Sequence, residues 1–567
     1  MRDQKEYLGG LLSGFLQEKE LALTPEEAAA LFEKPADPKM GDLALPCFRL
    51  AKGLRTAPPL IAAWLEDRFR GAEGVRKAEA VNGYLNFFFD AASCVSIVEH
   101  ILTDASFGGS DEGKGRVICL DFSSPNIAKR FHLGHLGTTV IGNSLRNIFR
   151  FMGYETVAIN YLGDWGTQFG KLIYAYLHWS SREAVDEKGI DELARIYVKF
   201  SAESEKDGSL AQEARDAFHR LEEGDPEYLD IWRYFKEISL REYQKTYDLL
   251  GISFDSYNGE SFYTDKMPAV VEEMREKGLL ELDDGASVVR LDEDRMPPCL
   301  ILKRDGSTLY PTRDIAAALW RKKEYGFDKC LYVTSAGQSL HFAQWFRVLE
   351  KMGYGWAKDG LVHVPYGTMS VNGEKLASRT GNVVLLDDLL EEAIRKCEKV
   401  IDEKHADLKD RHDVAEAVGV GAVVFNALAN SRIKDSDFVW EEALSFEGNS
   451  GPYVQYTYAR TSSLLRKAEE RGPLSEDYEP VQEEVLLANK LSEFPSVVRR
   501  AMKDYEPSLI SRYLLAVCAL YNQFYHNLRI LNAEGEAREF RLRLSAAART
   551  VIGNGLDLLG IRRTEEI

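Results

Sequence analysis

Two histidines, a lysine and a glycine stand together in the segment Asp121–His135, DFSSPNIAKRFHLGH. His132 and His135 are three residues apart, so in a helical turn their imidazoles share a face. Gly134 between them has no side chain and would let a nucleotide approach the backbone. A histidine pair taken alone is more often structural, or a surface accident, than catalytic. This one is set apart by its place, directly after a strand, Pro125-Asn126 and Lys129.

The surrounding sequence supplies the elements that must hold these groups. Val117–Phe122 is a short apolar strand, Ser123–Phe131 a loop, and Leu136–Met152 carries apolar residues at helical spacing, closed by Gly153. Thr156–Tyr161 is a second strand, followed by the Gly163–Gly166 turn. Strand, loop, helix and strand in this order make a βαβ crossover, hence a parallel sheet. In such sheets ligands sit off the carboxyl ends of the strands, where helix N-termini offer free N–H groups. Strands resume at Cys330–Thr334 and Leu361–Val364.

The rest of the chain divides by composition. Residues 1–110 read as a small α/β unit with a helical opening, helical Leu43–Lys52 and Ile61–Arg70, and a strand Val81–Asp90. The polar run Gly108–Gly115 is the linker candidate. Residues 111–450 form the α/β domain, with a helical insertion around 182–300 and a further helical region around 385–450. Residues 451–567 are helical nearly throughout. This tail holds 13 Arg and 3 Lys against 16 acidic residues, so the whole net charge of −19 lies in the remainder. Its neutrality and its own periodicity predict an independently folding unit, and arginine suits phosphate and base contacts. A helical tail with solvated salt bridges fits the same composition.

With 45% hydrophobic and 28% charged residues the chain is globular rather than disordered or collagen-like. The longest apolar stretches are too short to span a bilayer, so no membrane association is expected, and Met1–Glu20 shows no secretory pattern. Seven scattered cysteines without a C-x-x-C pair argue against a disulfide framework and a zinc site. A reducing cytoplasm is the expected location.

These segments resemble the arginyl-tRNA synthetases, within the class I aminoacyl-tRNA synthetases. The resemblance rests on SSPNIAK-x-F-H-x-G-H-L, NYLGDWGTQFGKL (160–172), YPTRDIAAALW (310–320), GQSLHFAQWFRVLEKMGY (337–354), HVPYG (363–367), GNVVLLDDLLEEAI (381–394) and GPYVQYTYAR (451–460), in that order. It implies a Rossmann-like parallel-sheet catalytic domain, an N-terminal α/β domain that contacts the tRNA elbow, and a C-terminal all-helical anticodon-binding domain. It implies ATP, with Mg²⁺, L-arginine and tRNA-Arg as substrates, tRNA bound before activation, and a monomer.

By the same resemblance His132, His135 and Gly134 attend the α-phosphate of ATP. Lys375, in Lys375-Leu376-Ala377-Ser378-Arg379, matches the mobile second motif that holds the pyrophosphate. Its second lysine is Ser378 here, and Lys129 is the implied substitute. Asp314 should pair with the substrate guanidinium, Tyr310 should line its pocket, and Asn126, Gln338 and Asp121 should contact the bound arginine. For Asp314 a charge at a helix N-terminus is the alternative reading. In the tail Tyr453, Tyr456, Tyr458, Arg460, Tyr521, Tyr525 and Arg529 suit stacking on unpaired bases, although such aromatics also build cores. The chain departs from the family wording at Asp121 (usually Glu), Arg130 (Pro), Gly137 (Arg), Tyr161 (His) and Ala377 (Ser). A paralogue that adenylates arginine outside translation, or an inactive tRNA-binding regulator, are the rival readings.

Overall fold

A computed structural model describes residues 4–35, 37, 40–89, 91–372, 374–375, 384–404, 408, 410–468, 472–475 and 478–567. Near the N-terminus β1 (Leu43–Pro46) and β2 (Val75–Val81) flank β3 (Tyr84–Phe89) in an antiparallel sheet. Leu43–Lys52 is therefore not one helix. Its first residues pair with β3, Pro46 ends the ladder, and a helix forms only over Phe48–Leu54. Helices Gln4–Gln17 and Pro58–Arg68 bury Leu8, Leu12, Leu16 and Leu65 with Phe69 and Phe87.

The four-stranded sheet comprises β4 (Val117–Asp121) and β5 (Glu155–Ile159), then β9 (Lys329–Ser335) and β10 (Leu361–Tyr366). All are parallel, in the order β10-β9-β4-β5. Between β5 and β9, helices run from Arg182 to Leu250, and β6 (Glu281–Asp283), β7 (Ala286–Val289) and β8 (Cys299–Leu302) then pair antiparallel. The stretch around 182–300 thus ends in a sheet, because the β-branched Val288 and Val289 and, in the paired strand, Cys299 and Ile301 are buried there. A third small sheet joins β11 (Met369–Val371) to β12 (Glu374–Lys375) and β13 (Ser436–Phe438).

Four helices position the site: α1 (Leu136–Phe151), α2 (Pro226–Leu250), α3 (Tyr310–Tyr325) and α4 (Ser339–Lys351). The chain leaves β4 through α1 to β5 on one side, and later returns to β9 and β10 on the other. The winding reverses between β4 and β9, the place where open α/β sheets bind ligands. Side chains alternate along β4. Leu120 faces α1, whereas Cys119 packs with Cys330 and Tyr332 on the face covered by α3 and α4.

The C-terminal helices, among them Gly451–Lys467, Ser508–Asn527 and Gly535–Leu559, share one continuous core with α1. Ser144 Oγ donates to the Leu558 carbonyl at 2.8 Å and Asn147 Nδ2 to that of Asp557 at 3.0 Å. Helix Ala91–Thr103, placed with the first unit by sequence, packs against Gly535–Leu559 instead. Periodicity shows that the tail is helical but not which face is left for a neighbour, and that face is buried on α1. Among the described residues one helix, Arg411–Ala429, is long and apolar enough to cross a membrane; most of it is buried beside Leu386–Lys404 and Gly451–Lys467.

Candidate active site

The loop after β4 is held in an unusual backbone conformation. Ser123, Ser124 and Ala128 have φ of 69°, 48° and 61°, which costs about 1–3 kcal/mol each for residues with a Cβ. Helix α2 offsets this by clasping the loop. Tyr247 hydrogen-bonds Ser123 Oγ (2.8 Å), Ser239 Oγ accepts from Ala128 N–H (2.8 Å), and the Tyr243 hydroxyl donates to the carbonyls of Asn126 and Lys129 (2.8 and 2.6 Å). The insertion is therefore a buttress for the histidine loop. On the other side the Gly163 backbone pairs with Pro125 and Ile127, and a Cβ on Gly163 would overlap Asn126 Oδ1.

His132 and His135 lie at a 3-10 turn, their ring centres 3.9 Å apart. His132 Nδ1 accepts from Gly134 N–H (3.1 Å), and His135 Nδ1 accepts from His132 N–H (3.2 Å). An accepting Nδ1 must be unprotonated, so each neutral ring carries its proton on Nε2 and presents it as a donor. Burial, with help from His132 and Lys129, pushes His135 down to about 3; burial and Lys129 also lower His132. Both act as neutral donors near pH 7. Phe131 stacks parallel on His135 at 4.9 Å and fixes the ring plane. A Cβ on Gly134 would meet the His132 ring at 2.9 Å, so glycine is required here by the neighbouring histidine itself.

Two departures noted in the sequence have local partners. A Cβ on Gly137 would come within 3.1 Å of the Tyr366 ring, whose hydroxyl lies 3.5 Å from the Gly134 carbonyl. The tyrosine fills the space a larger side chain would need. Arg130 forms an ion pair with Asp191 on the inserted helices.

Tyr310, exposed, opens α3, and Asp314 follows one turn later. Asp314 Oδ2 lies 2.7 Å from Nε2 of His341 on α4. Gln338 is exposed in the turn before α4, and Asn126 is exposed on the loop. Asp121, 4% exposed, ends β4; Oδ2 accepts from Arg321 Nη1 (2.8 Å) and Oδ1 from Ser124 Oγ (2.9 Å). Burial pushes this carboxyl up and Arg321 draws it back. Burial opposes the Arg321 charge more than any single neighbour supports it, but Asp121 together with Tyr263, Tyr332 and Cys330 outweighs burial and keeps the guanidinium protonated.

A third carboxylate was not visible in the sequence. Glu260 lies 2.9 Å from Arg313, and burial, reinforced by Asp314, pushes it up to about 7 against the pull of Arg313. Buried Asp164 positions it by accepting from Lys236 Nζ (2.7 Å) and from Ser261 N–H and Oγ (2.8 Å each). Asp164, within GDWGTQFG, and Arg313, within YPTRDIAAALW, stood in recognisable motifs. Glu260 has no motif of its own.

Asp121 is thus neutralised by Arg321 and Glu260 by Arg313. Among the described residues Asp314 pairs only with His341, and it raises both other carboxyls by repulsion. The pocket therefore suits one further cation, centred on Asp314. Lys129 is exposed close enough to depress His132 by its charge. Lys375 ends the β11–β12 hairpin at the register position opposite Ser370; Leu376, Ala377, Ser378 and Arg379 lie outside the described residues.

In the C-terminal helices Tyr458 and Tyr521 belong to the core. Arg460 lies over the rings of Tyr456 (4.8 Å) and Tyr525 (5.2 Å), and Arg529 is exposed.

Family models match the whole layout. Residues 97–440 match the class I (R) tRNA synthetase catalytic domain. Residues 454–567 match the DALR anticodon binding domain, and 11–89 the arginyl tRNA synthetase N-terminal domain. The chain belongs to the arginyl-tRNA synthetase family. It is 45% identical to an arginine–tRNA ligase of Halothermothrix orenii over 100% of both chains. With that of Clostridium beijerinckii it shares 48% over 97% of this chain and 98% of the relative. The Thermus thermophilus arginyl-tRNA synthetase structure superposes with a TM-score of 0.83 at 26% identity, covering 100% of each chain. The family's three parts account for the parallel sheet, the helical C-terminus and the small leading unit together.

Proposed function

We propose that this protein is an arginine–tRNA ligase: it activates L-arginine with ATP to arginyl-adenylate and transfers the arginyl group to tRNA-Arg. The observation that carries this reading is similarity to arginine–tRNA ligases along the entire chain, the RNA-binding parts included. A free-standing arginine adenylase would not need those parts, so the translational role is favoured.

ATP enters as its magnesium complex, with its phosphates beside the histidine turn. The arginine carboxylate attacks the α-phosphorus, the bond to the bridging oxygen breaks, and pyrophosphate leaves. Negative charge grows on the α-phosphate oxygens in that transition state, and the Nε2–H donors of His132 and His135 stabilise it without giving up a proton. Lys129 and Lys375 hold the departing phosphates. Asp314 receives the guanidinium with bidentate-capable oxygens, Tyr310 closes the pocket over it, and Asn126 and Gln338 take the polar groups at the α-carbon. Asp121 serves from beneath, bound to Arg321. A ribose hydroxyl at the tRNA terminus then attacks the adenylate carbonyl, and AMP leaves. The Arg460–Tyr456–Tyr525 cluster meets the anticodon loop and the N-terminal unit the tRNA elbow. The enzyme acts as a monomer in the cytoplasm.

The test is ATP–pyrophosphate exchange. Exchange that needs both arginine and tRNA-Arg is expected; robust exchange with arginine and no tRNA would count against this reading and favour a free-standing adenylase.

A further inference from the structure

Arg321 has no exposed surface, yet its Nε and Nη2 have no hydrogen-bond partner among the described residues. Its guanidinium carbon lies 5.0, 5.7 and 5.9 Å from the ring centres of Tyr161, Tyr332 and Tyr263. Idle buried donors cost free energy, and an apolar side chain of similar volume would fill the space without that cost. What the arginine provides instead is one directed bond, Nη1 to Asp121 Oδ2 at 2.8 Å.

That bond joins the two halves of the pocket. Arg321 is seven residues beyond Asp314 on α3, two helical turns along the same face, about 10 Å at 1.5 Å per residue. Asp121 passes the constraint on: its Oδ1 accepts from Ser124 Oγ, which itself accepts from Tyr161 N–H at 3.1 Å. Ser124 is one of the left-handed residues, and two positions later comes Asn126. Helix α3, carrying Tyr310 and Asp314, is thereby tied to the loop carrying Asn126, across two hundred residues of sequence.

We propose that Arg321 is a positioning residue for arginine recognition. It acts through Asp121, setting the distance between the guanidinium end of the pocket, at Asp314, and its α-carbon end, at Asn126. The proposal rests on the reading of this pocket as an arginine site. Arginine-dependent charging by the unaltered protein checks that reading separately.

The experiment is a double-mutant cycle of Arg321→Met and Asp121→Asn, with Arg321→Lys as the conservative variant. It is read as KM for arginine, KM for ATP, kcat, tRNA affinity and Tm. Arg321→Met should raise KM for arginine by about tenfold or more, with KM for ATP and tRNA affinity within about twofold, since about tenfold corresponds to a lost hydrogen bond of ordinary strength. Arg321→Lys should recover part of the loss. The double variant buries no unpaired charge, so its Tm should return toward the unaltered value. Its KM for arginine should stay raised, and no higher than that of the worse single variant, because both act on one path. Should Arg321→Met fail to fold, the double variant decides by the same reading. A merely structural pair would restore KM along with Tm in the double variant, and that result overturns the proposal. Unchanged KM in Arg321→Met, or multiplying effects in the double variant, overturns it as well.

Discussion

Glu260 gives the pocket a measurable pH dependence. Its carboxyl is pushed up to about 7, first by burial and then by repulsion from Asp314, with Arg313 pulling the other way. Arginine brings a guanidinium into this negative surrounding, so its binding favours the ionised carboxylate and expels the proton. For a group titrating near 7, the ionised fraction rises from about 0.1 at pH 6 to about 0.9 at pH 8, so affinity for arginine should rise about tenfold over that range. Calorimetric titration with arginine in buffers of different ionisation enthalpy should show about 0.9 proton released at pH 6 and about 0.1 at pH 8. Where tRNA is needed for binding, it is present throughout. Glu260→Gln should bind more weakly at pH 8 and lose both the slope and the proton release. The same shift acts on stability. The native carboxyl keeps its proton above the value at which the unfolded one has lost it, so stability declines as pH rises from the ordinary carboxyl range to about 7. Flat affinity between pH 6 and 8 in the unaltered protein, or an unchanged slope in Glu260→Gln, would refute the reasoning.

Further outcomes follow from the same geometry. His135→Ala should lower kcat by about 10²–10³ with tRNA affinity kept, as for a lost transition-state donor, and near-normal turnover would remove the assigned role. Because His135 is held near 3, the pH–rate profile of the unaltered enzyme should show no limb from it between pH 6 and 8; a limb there that vanishes in His135→Ala would contradict this. Gly137→Arg should destabilise by about 1–3 kcal/mol through collision with Tyr366, and Tyr366→Ala in the same chain should recover Tm; an unchanged Tm in Gly137→Arg would remove the contact from the account. Truncation before Gly451 should yield aggregating protein, since it strips the helices that share the core of α1 and that Ser144, Asn147 and Phe149 meet; a soluble fragment with a cooperative melt would contradict the shared core.

The histidine turn was legible because its own residues are local: a strand, a loop, two histidines and a helix within thirty-five residues; the strain in that loop and its clasp by Tyr243, Tyr247 and Ser239 of α2, more than a hundred residues on, were not. Parallel pairing followed from the βαβ spacing. The charge pairing of the pocket was not legible. Asp121 and Arg321 are two hundred residues apart, and Glu260 meets Arg313 from a turn whose next residue, Ser261, is anchored on Asp164 with Lys236. No periodicity encodes such contacts. The tail failed in a different way: its helices were evident, but amphipathic faces do not name their partner, and α1 proved to be part of their core.

The most direct measurement of the central claim is the charging of tRNA-Arg with labelled arginine by the unaltered full chain in the presence of ATP and magnesium. Nuclease digestion of the product should release arginyl-adenosine, with lysine and citrulline not incorporated and His135→Ala slowed about 10²–10³-fold. Label that never becomes attached to the terminal adenosine, while arginine-dependent pyrophosphate exchange proceeds, would contradict the account.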